Sequence, residues 1–266
     1  MTDASQAELD TILATTAHRP YLLPGGPWRL RQRWNDLLFA HWPIPPASIQ
    51  DLLPPGLEVD TFDGEAYIGV IPFWMDHVRT RIVGNQTVAV PTTTTFPELN
   101  LRTYVRSRIS GLAGVYFFSL DCASPLAVFG ARTLFHLPYF PARMSRTTQA
   151  GLTHYESHRQ FSATPADYES TYGPSNTPTG SPTRFGADPL SRFLTERYCL
   201  FTHARGRMLI GHIHHLPWPL EPAQAEIRLN QIPRAQGITL PDIAPILHFS
   251  RQLQVILWGL RLDRPI

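Results

Sequence analysis

Strand-like alternation of apolar and polar residues runs through most of this chain. It is clearest over Leu99–Arg108, where Leu99, Leu101, Thr103 and Val105 alternate with Asn100, Arg102, Tyr104 and Arg106. Val115–Cys122 is instead a near-continuous apolar run, as expected of a central strand buried on both faces. Further strands are predicted over Trp28–Ala40, Leu57–Thr61, Glu65–Val78, Arg143–Gln149, Thr153–Phe161, Tyr198–His203, Arg207–His215, Ala223–Asn230 and Leu247–Leu262. The Asp63-Gly64 turn signal predicts a hairpin between the segments flanking it. Helical spacing is confined to short stretches. One, capped by Asp3 or Ser5, runs to about Ala17 with Leu9, Ile12 and Leu13 on one face. Pro45-Pro46 opens a second over Ala47–Leu53, and a third spans Pro125–His136 through Leu126, Val128, Phe129, Leu134 and Phe135. The pattern predicts an α+β fold, mainly antiparallel β, with a curved or closed sheet and a few peripheral helices. Residues 1–27 read as a helix and linker ahead of a single domain over 28–266.

Composition changes this picture in three ways. The 26 prolines sit beside Trp, Phe, Leu and Ile, so they punctuate turns and strand ends rather than mark disorder. Thr164–Pro189, with five of them among many Ser, Thr, Gly and Asn, reads as one long functional or mobile loop. Net charge is +2 without runs of arginine, which leaves no footprint for nucleic acid or a membrane surface. There is no basic-then-apolar leader pattern and no apolar run of bilayer length, so a cytoplasmic location is expected. Cys122 and Cys199 lie in apolar strands and read as free, buried thiols. Most consequential, all 23 basic side chains are arginines. Without lysine, the side chain that forms imines with carbonyl substrates is missing.

Several constellations could carry chemistry. His212, His214 and His215 form a histidine-rich strand end, but no CxxC, HExxH or acidic cluster adds a third ligand. No metal is assigned, and no cofactor is implied. No nucleophile elbow or phosphate-binding glycine loop is present. On the strand through Pro97–Tyr104, Glu98, Asn100, Arg102 and Tyr104 project from one face. A row of carboxylate, amide, guanidinium and phenol suits either a polar pocket or a solvent-facing ion pair. Leu137-Pro138-Tyr139-Phe140-Pro141 is a proline-bracketed aromatic turn after the third helix.

Seven strings taken in order resemble the YqjF-like family of uncharacterised bacterial proteins. They are His41-Trp42-Pro43-Ile44-Pro45-Pro46, Leu53-Pro54-Pro55-Gly56-Leu57-Glu58-Val59-Asp60, Phe96-Pro97-Glu98-Leu99-Asn100-Leu101-Arg102-Thr103-Tyr104-Val105, Phe118-Ser119-Leu120-Asp121, Leu137-Pro138-Tyr139-Phe140, Ile213-His214-His215-Leu216-Pro217-Trp218 and Leu247-His248-Phe249-Ser250-Arg251. That family is similar in fold to acetoacetate decarboxylase, which implies a cone-like antiparallel β-barrel or folded sheet with a central cavity. In the decarboxylases an arginine, two glutamates and a Schiff-base lysine line the cavity. The resemblance places the arginine at Arg33, one glutamate at Glu98, the other near Gly69, and the lysine near Tyr139.

Glu98 and Tyr139 are therefore the candidate catalytic residues, with Arg33, Arg102, Asn100 and Tyr104 as candidate ligand-binding residues. Three readings stay open: an enzyme acting on an anionic carboxylate or carbonyl compound without an imine, a non-catalytic small-ligand binder, and an interaction protein with a filled barrel. A homo-oligomer is compatible with each.

Overall fold

The computed structural model describes residues 3–91, 93–175 and 186–265. Helix α1 (Asp3–Ala14) precedes the long strand β1 (Leu30–Ile44), followed by α2 (Ala47–Gln50) and the short β2 (Leu57–Val59). Then come β3 (Ala66–Arg81), β4 (Thr87–Val88), β5 (Phe96–Ser107), β6 (Ala113–Cys122) and helix α3 (Pro125–Leu134). Strands β7 (Tyr139–Gln149), β8 (Leu152–Arg159) and β9 (Asp167–Pro174) lead to α4 (Pro189–Thr195). The chain ends with β10 (Cys199–Ala204), β11 (Arg207–His214), β12 (Glu221–Asn230), β13 (Ile246–Leu257) and β14 (Arg261–Leu262).

These strands close two rings that share a wall. The nine-strand ring runs β5-β6-β7-β8-β9-β12-β13-β1-β3 and returns to β5. A second path leaves β6 through β10 and β11 and rejoins the wall at β13, closing a seven-strand ring. Pairing is antiparallel except at β6–β7 and β6–β10. This is the mainly antiparallel barrel with peripheral helices that pattern and resemblance imply. Bulges bend the shared strands so that they can close. In β1 the register with β3 slips between Asn35 and Ala40, and Asp36 there takes a left-handed φ of 46°. Tyr172 donates to the Asp36 carbonyl at 2.9 Å and holds the bulge.

The nine-strand ring is filled. Tyr155, Tyr168 and Tyr172 from β8 and β9 are fully buried against Leu38, Leu99, Leu101 and Phe249 of the wall. Helix α1 packs Leu9 and Ile12 on Trp28, Ile256 and Trp258. Cys122 and Cys199 are free and buried. No helix among the described residues is long and apolar enough to cross a membrane.

Two local expectations are corrected. The Asp63-Gly64 turn forms, with a bridge between Phe62 and Glu65, but it joins no hairpin: β2 pairs with β5 instead of β3. The 164–189 stretch is not one unbroken loop: it contains strand β9 over Asp167–Pro174 and leads into α4 at Pro189. In β9, Tyr168, Ser170 and Tyr172 alternate inward, so Ser and Thr that suggest a loop are strand residues between tyrosines. Asp188 caps α4 by accepting from the Ser191 amide, with Pro189 in the first turn. Residues 176–185 of that stretch lie outside the described residues.

Candidate functional site

Every strand of the seven-strand ring contributes to a cavity of about 460 Å³: Trp34 from β1, Met75 from β3, Glu98 from β5, Phe117 from β6, Leu200 from β10, Ile213 from β11 and Leu257 from β13. Helix α3 lies along one side of it through Leu126, Phe129 and Leu134. The two faces of β5 explain the division between the rings. Leu99, Leu101 and Val105 enter the filled core, while Glu98, Asn100 and Arg102 line the cavity.

Glu98 is 3% exposed and is held at both ends. Its main-chain carbonyl accepts from the Tyr155 hydroxyl at 2.7 Å, across the shared wall from the filled ring. Its carboxyl Oε2 accepts from the Tyr139 hydroxyl at 2.7 Å. Tyr139 is positioned where β7 begins, paired in parallel with Leu120, and Arg132 of α3 donates from Nε to its carbonyl at 2.6 Å. Burial pushes the Glu98 carboxyl up to about 8, against the opposing hydrogen bonds of Tyr139 and the Asn100 amide. Burial and the neighbouring Glu98 push the Tyr139 phenol well above its usual range. At neutral pH the pair is therefore mostly a carboxylic acid beside a neutral phenol, with Glu98 Oε1 left to carry the proton.

Arg102 is 8% exposed and donates to the Leu194 carbonyl at 3.2 Å and the Tyr104 hydroxyl at 3.3 Å. Its Nε has no hydrogen-bond partner, and it makes no ion pair with a carboxylate among the described residues. Asn100 Oδ1 is also buried without a partner. A buried guanidinium without a carboxylate partner keeps its capacity to bond an anion.

Four of the six candidate residues thus come together: Glu98, Tyr139, Asn100 and Arg102. Two do not. Arg33 points away from the cavity, where Nε donates to Asp76 Oδ1 at 2.6 Å and Nη2 forms the second arm of a bidentate ion pair. Counted along an unbroken strand, Arg33 shares a face with Leu37 and Phe39, which pack on the cavity side with Trp218. The extra residue at the Asp36 bulge reverses that parity, so Gln32 and Trp34 face the cavity. Tyr104 is fully buried beneath α4. Its hydroxyl donates to the Leu194 carbonyl at 2.6 Å and lies 2.6 Å from His41 Nε2, so it braces Arg102 from behind.

At Gly69, where the resemblance puts a second carboxylate, a Cβ would lie 3.1 Å from the His41 ring. That buried imidazole is held well below its usual range by desolvation and then by Arg102, so it is neutral. His214 spends its Nε2 on the Ile12 carbonyl at 2.7 Å and its Nδ1 on Arg19 at 3.1 Å. His215 turns instead to the cavity, stacked on Tyr198 with centroids 4.8 Å apart. No group of three metal-ligating side chains occurs among the described residues.

The cavity also holds Trp34, Trp218 and Arg197, none of which strand alternation alone singles out. Arg197 differs from Arg102 in being paired, with Nη1 2.7 Å from Asp60 Oδ2. Its position follows α4, and the Asp188-Pro189 cap is the sequence signal that marks that helix.

The fold is that of an acetoacetate decarboxylase-like barrel. Acetoacetate decarboxylase from Legionella pneumophila superimposes with a TM-score of 0.57 at 13% identity, over 96% of this chain and 94% of that one. The enduracididine biosynthesis enzyme MppR, in a complex with the condensation product of pyruvate and imidazole 4-carboxaldehyde, gives 0.58 at 10% identity, over 92% of each chain. An acetoacetate decarboxylase-like enzyme from Sphingomonas wittichii RW1 gives 0.56 at 14% identity, over 89% and 93% of the two chains. At these identities the likeness is one of fold. Within that fold the chain belongs to the DUF2071 family of uncharacterized conserved proteins, whose profile matches residues 31–254. It is 43% identical over 239 residues to the uncharacterized protein YqjF of Bacillus subtilis (strain 168), covering 90% of this chain and 94% of that protein.

Proposed function

We propose that the protein is a small-molecule enzyme that binds an anionic carbonyl or hydroxy compound in this cavity and transfers a proton to or from it without an imine. One observation carries the reading: a buried Glu98, bonded to Tyr139 and with its carboxyl pushed up by burial, in the same open cavity as Arg102, a cation with no carboxylate partner among the described residues. Arg102 takes the ligand's carboxylate. Glu98 donates its proton to a ligand oxygen or carbon and is left as a carboxylate that keeps the Tyr139 hydrogen bond. Tyr139 and Asn100 are placed to hold charge developing on a ligand oxygen. Proton transfer at carbon, hydration, dehydration and aldol-type steps share this requirement. Imine chemistry does not fit, because Tyr139 stands where the resemblance calls for an amine and the sequence contains no lysine. We place the reaction in the cytoplasm, in keeping with the two free thiols.

A specific observation favours a second reading, a non-catalytic binder. Both the imine-forming amine and the second carboxylate expected from the resemblance are missing, and His41 fills the room beside Gly69. Melting-temperature screening against millimolar keto, hydroxy and amino acids identifies the ligand class, since a binder of the folded state raises the midpoint. With a ligand in hand, Glu98→Gln divides the readings. Catalysis predicts retained binding with turnover lowered about 10²–10⁴-fold. A binder shows no turnover in either form, and the absence of any stabilising ligand overturns both.

A further inference from the structure

The cavity is far larger than a compact keto acid requires, and the charged side chains that line it, Glu98, Arg102 and Arg197, are all buried. At the ~30 Å³ that a water occupies in the liquid, its 460 Å³ accommodates on the order of 15 non-hydrogen atoms. Glu98, Asn100 and Arg102 are deeply buried, whereas the walls leading outward from them are Trp34, Met75, Val78, Phe96 and Leu257. Apart from Thr133, the exposed part of the lining is apolar: Val90 is 37% exposed, Leu126 46%, Phe129 66% and Leu134 71%. Three of those four belong to α3, whose apolar spacing predicts a core-facing stripe. Only its Val128 is buried. A cluster of exposed aromatic and aliphatic side chains around a cavity mouth is a binding feature rather than a packing one.

From this arrangement we propose that the ligand is a carboxylate carrying an apolar tail. The carboxylate sits at Arg102, the body passes Asn100 and Glu98, and the tail runs out between α3 and the Val90 segment. Arg102 and Glu98 are four residues apart on one strand, with backbones about 13 Å apart along it, so the wall they share is long enough for an extended ligand to lie against. This inference rests on the anion-binding role given to Arg102 above and adds the chemical class of the rest of the molecule.

The test is calorimetric titration of the full chain with butanoate, hexanoate, octanoate and decanoate, and with the matching uncharged alcohols. The expected result is an affinity rising about fourfold per added methylene until the cavity is full, with each acid tighter than its alcohol. In Phe129→Ser/Leu134→Ser, both exposed and so compatible with folding, the rise flattens for the longest acids while butanoate is unchanged. Acids that bind equally at every length overturn the tail but leave the Arg102 reading standing. A rise of the same steepness and strength for the alcohols keeps the tail and overturns the anion site, and no binding at any length overturns both. If the double variant instead turns a dimer into a monomer and leaves the chain-length series untouched, the rim is an interface between copies and the proposal fails.

Discussion

The two rings are built on the same five strands yet have opposite interiors. In the nine-strand ring, three fully buried tyrosines close the space, and its buried cation has a carboxylate partner: Arg159 reaches Asp121 at 2.7 Å and Ser119 at 2.8 Å. In the seven-strand ring a cavity remains, and the buried Arg102 has no carboxylate partner among the described residues. The filled ring supplies rigidity to the hollow one. Tyr155 bonds the carbonyls of Glu98 and Phe73 at 2.7 and 3.1 Å, fixing from behind the strand that carries the acid. Groups held by a packed neighbour keep their geometry without a ligand present, which is what preorganised chemistry demands.

The contrast is largest in stability. Tyr155→Ala removes a fully buried ring and two hydrogen bonds from a core with no room to collapse, and is expected to cost about 3–5 kcal/mol in urea unfolding. Phe129→Ser, on the exposed side of the hollow ring, is expected within about 0.5 kcal/mol of the parent. Equal costs at the two positions would mean that the rings do not differ in packing.

Glu98 gives the next largest effect, and it depends on pH. Its carboxyl titrates near 8 in the folded protein against 4.5 ordinarily, so its contribution is fully present below about 4.5 and is lost as pH rises through about 8. At about 1.4 kcal/mol per tenfold change in proton affinity, the loss is on the order of several kcal/mol. Glu98→Gln cannot ionise, so its stability relative to the parent should climb steadily between pH 4.5 and 8 and level off above. A constant difference across that range would place the carboxyl in contact with water. The same titration sets the catalytic profile: a reaction that uses the protonated acid declines as pH rises past about 8.

How far the sequence revealed this division can be followed residue by residue. Alternation along β5 puts Glu98, Asn100 and Arg102 on one face, because where the β5–β6 register slips, at Leu101/Arg102, the extra residue lies on β6 and the period of two in β5 is kept. The row's last member, Tyr104, keeps the parity but passes under α4, a short helix that begins where the loop-like composition of 164–189 ends and that the sequence pattern does not predict. Arg33 fell on the wrong side for a different reason. A β-bulge inserts one residue without a composition of its own, and Asp36 carries only the left-handed backbone that Asp tolerates better than most residues. Parity arguments fail across such a point. Pattern and resemblance both point to a closed sheet, but neither reveals a second ring, since the β11–β13 and β6–β10 pairings join distant segments and leave no local signal.

The smallest expected effect makes the clearest test of which wall arginine, on β1 or on β5, faces the cavity. Arg33 and Arg102 are both arginines in the shared wall, but Arg33 is satisfied by Asp76 on the outer face and its side chain is 27% exposed. Arg33→Gln should therefore change stability by no more than about 1 kcal/mol and leave ligand affinity unaltered. Arg102→Gln keeps a hydrogen-bonding side chain at the cavity wall but removes the charge. It should weaken a carboxylate ligand by roughly 10–100-fold, as loss of a charge-assisted hydrogen bond implies. Calorimetric titration of both variants with the same acid decides the matter. If Arg33→Gln weakens binding as much as Arg102→Gln does, the Asp36 bulge does not reverse the strand in solution and the anion site belongs to β1.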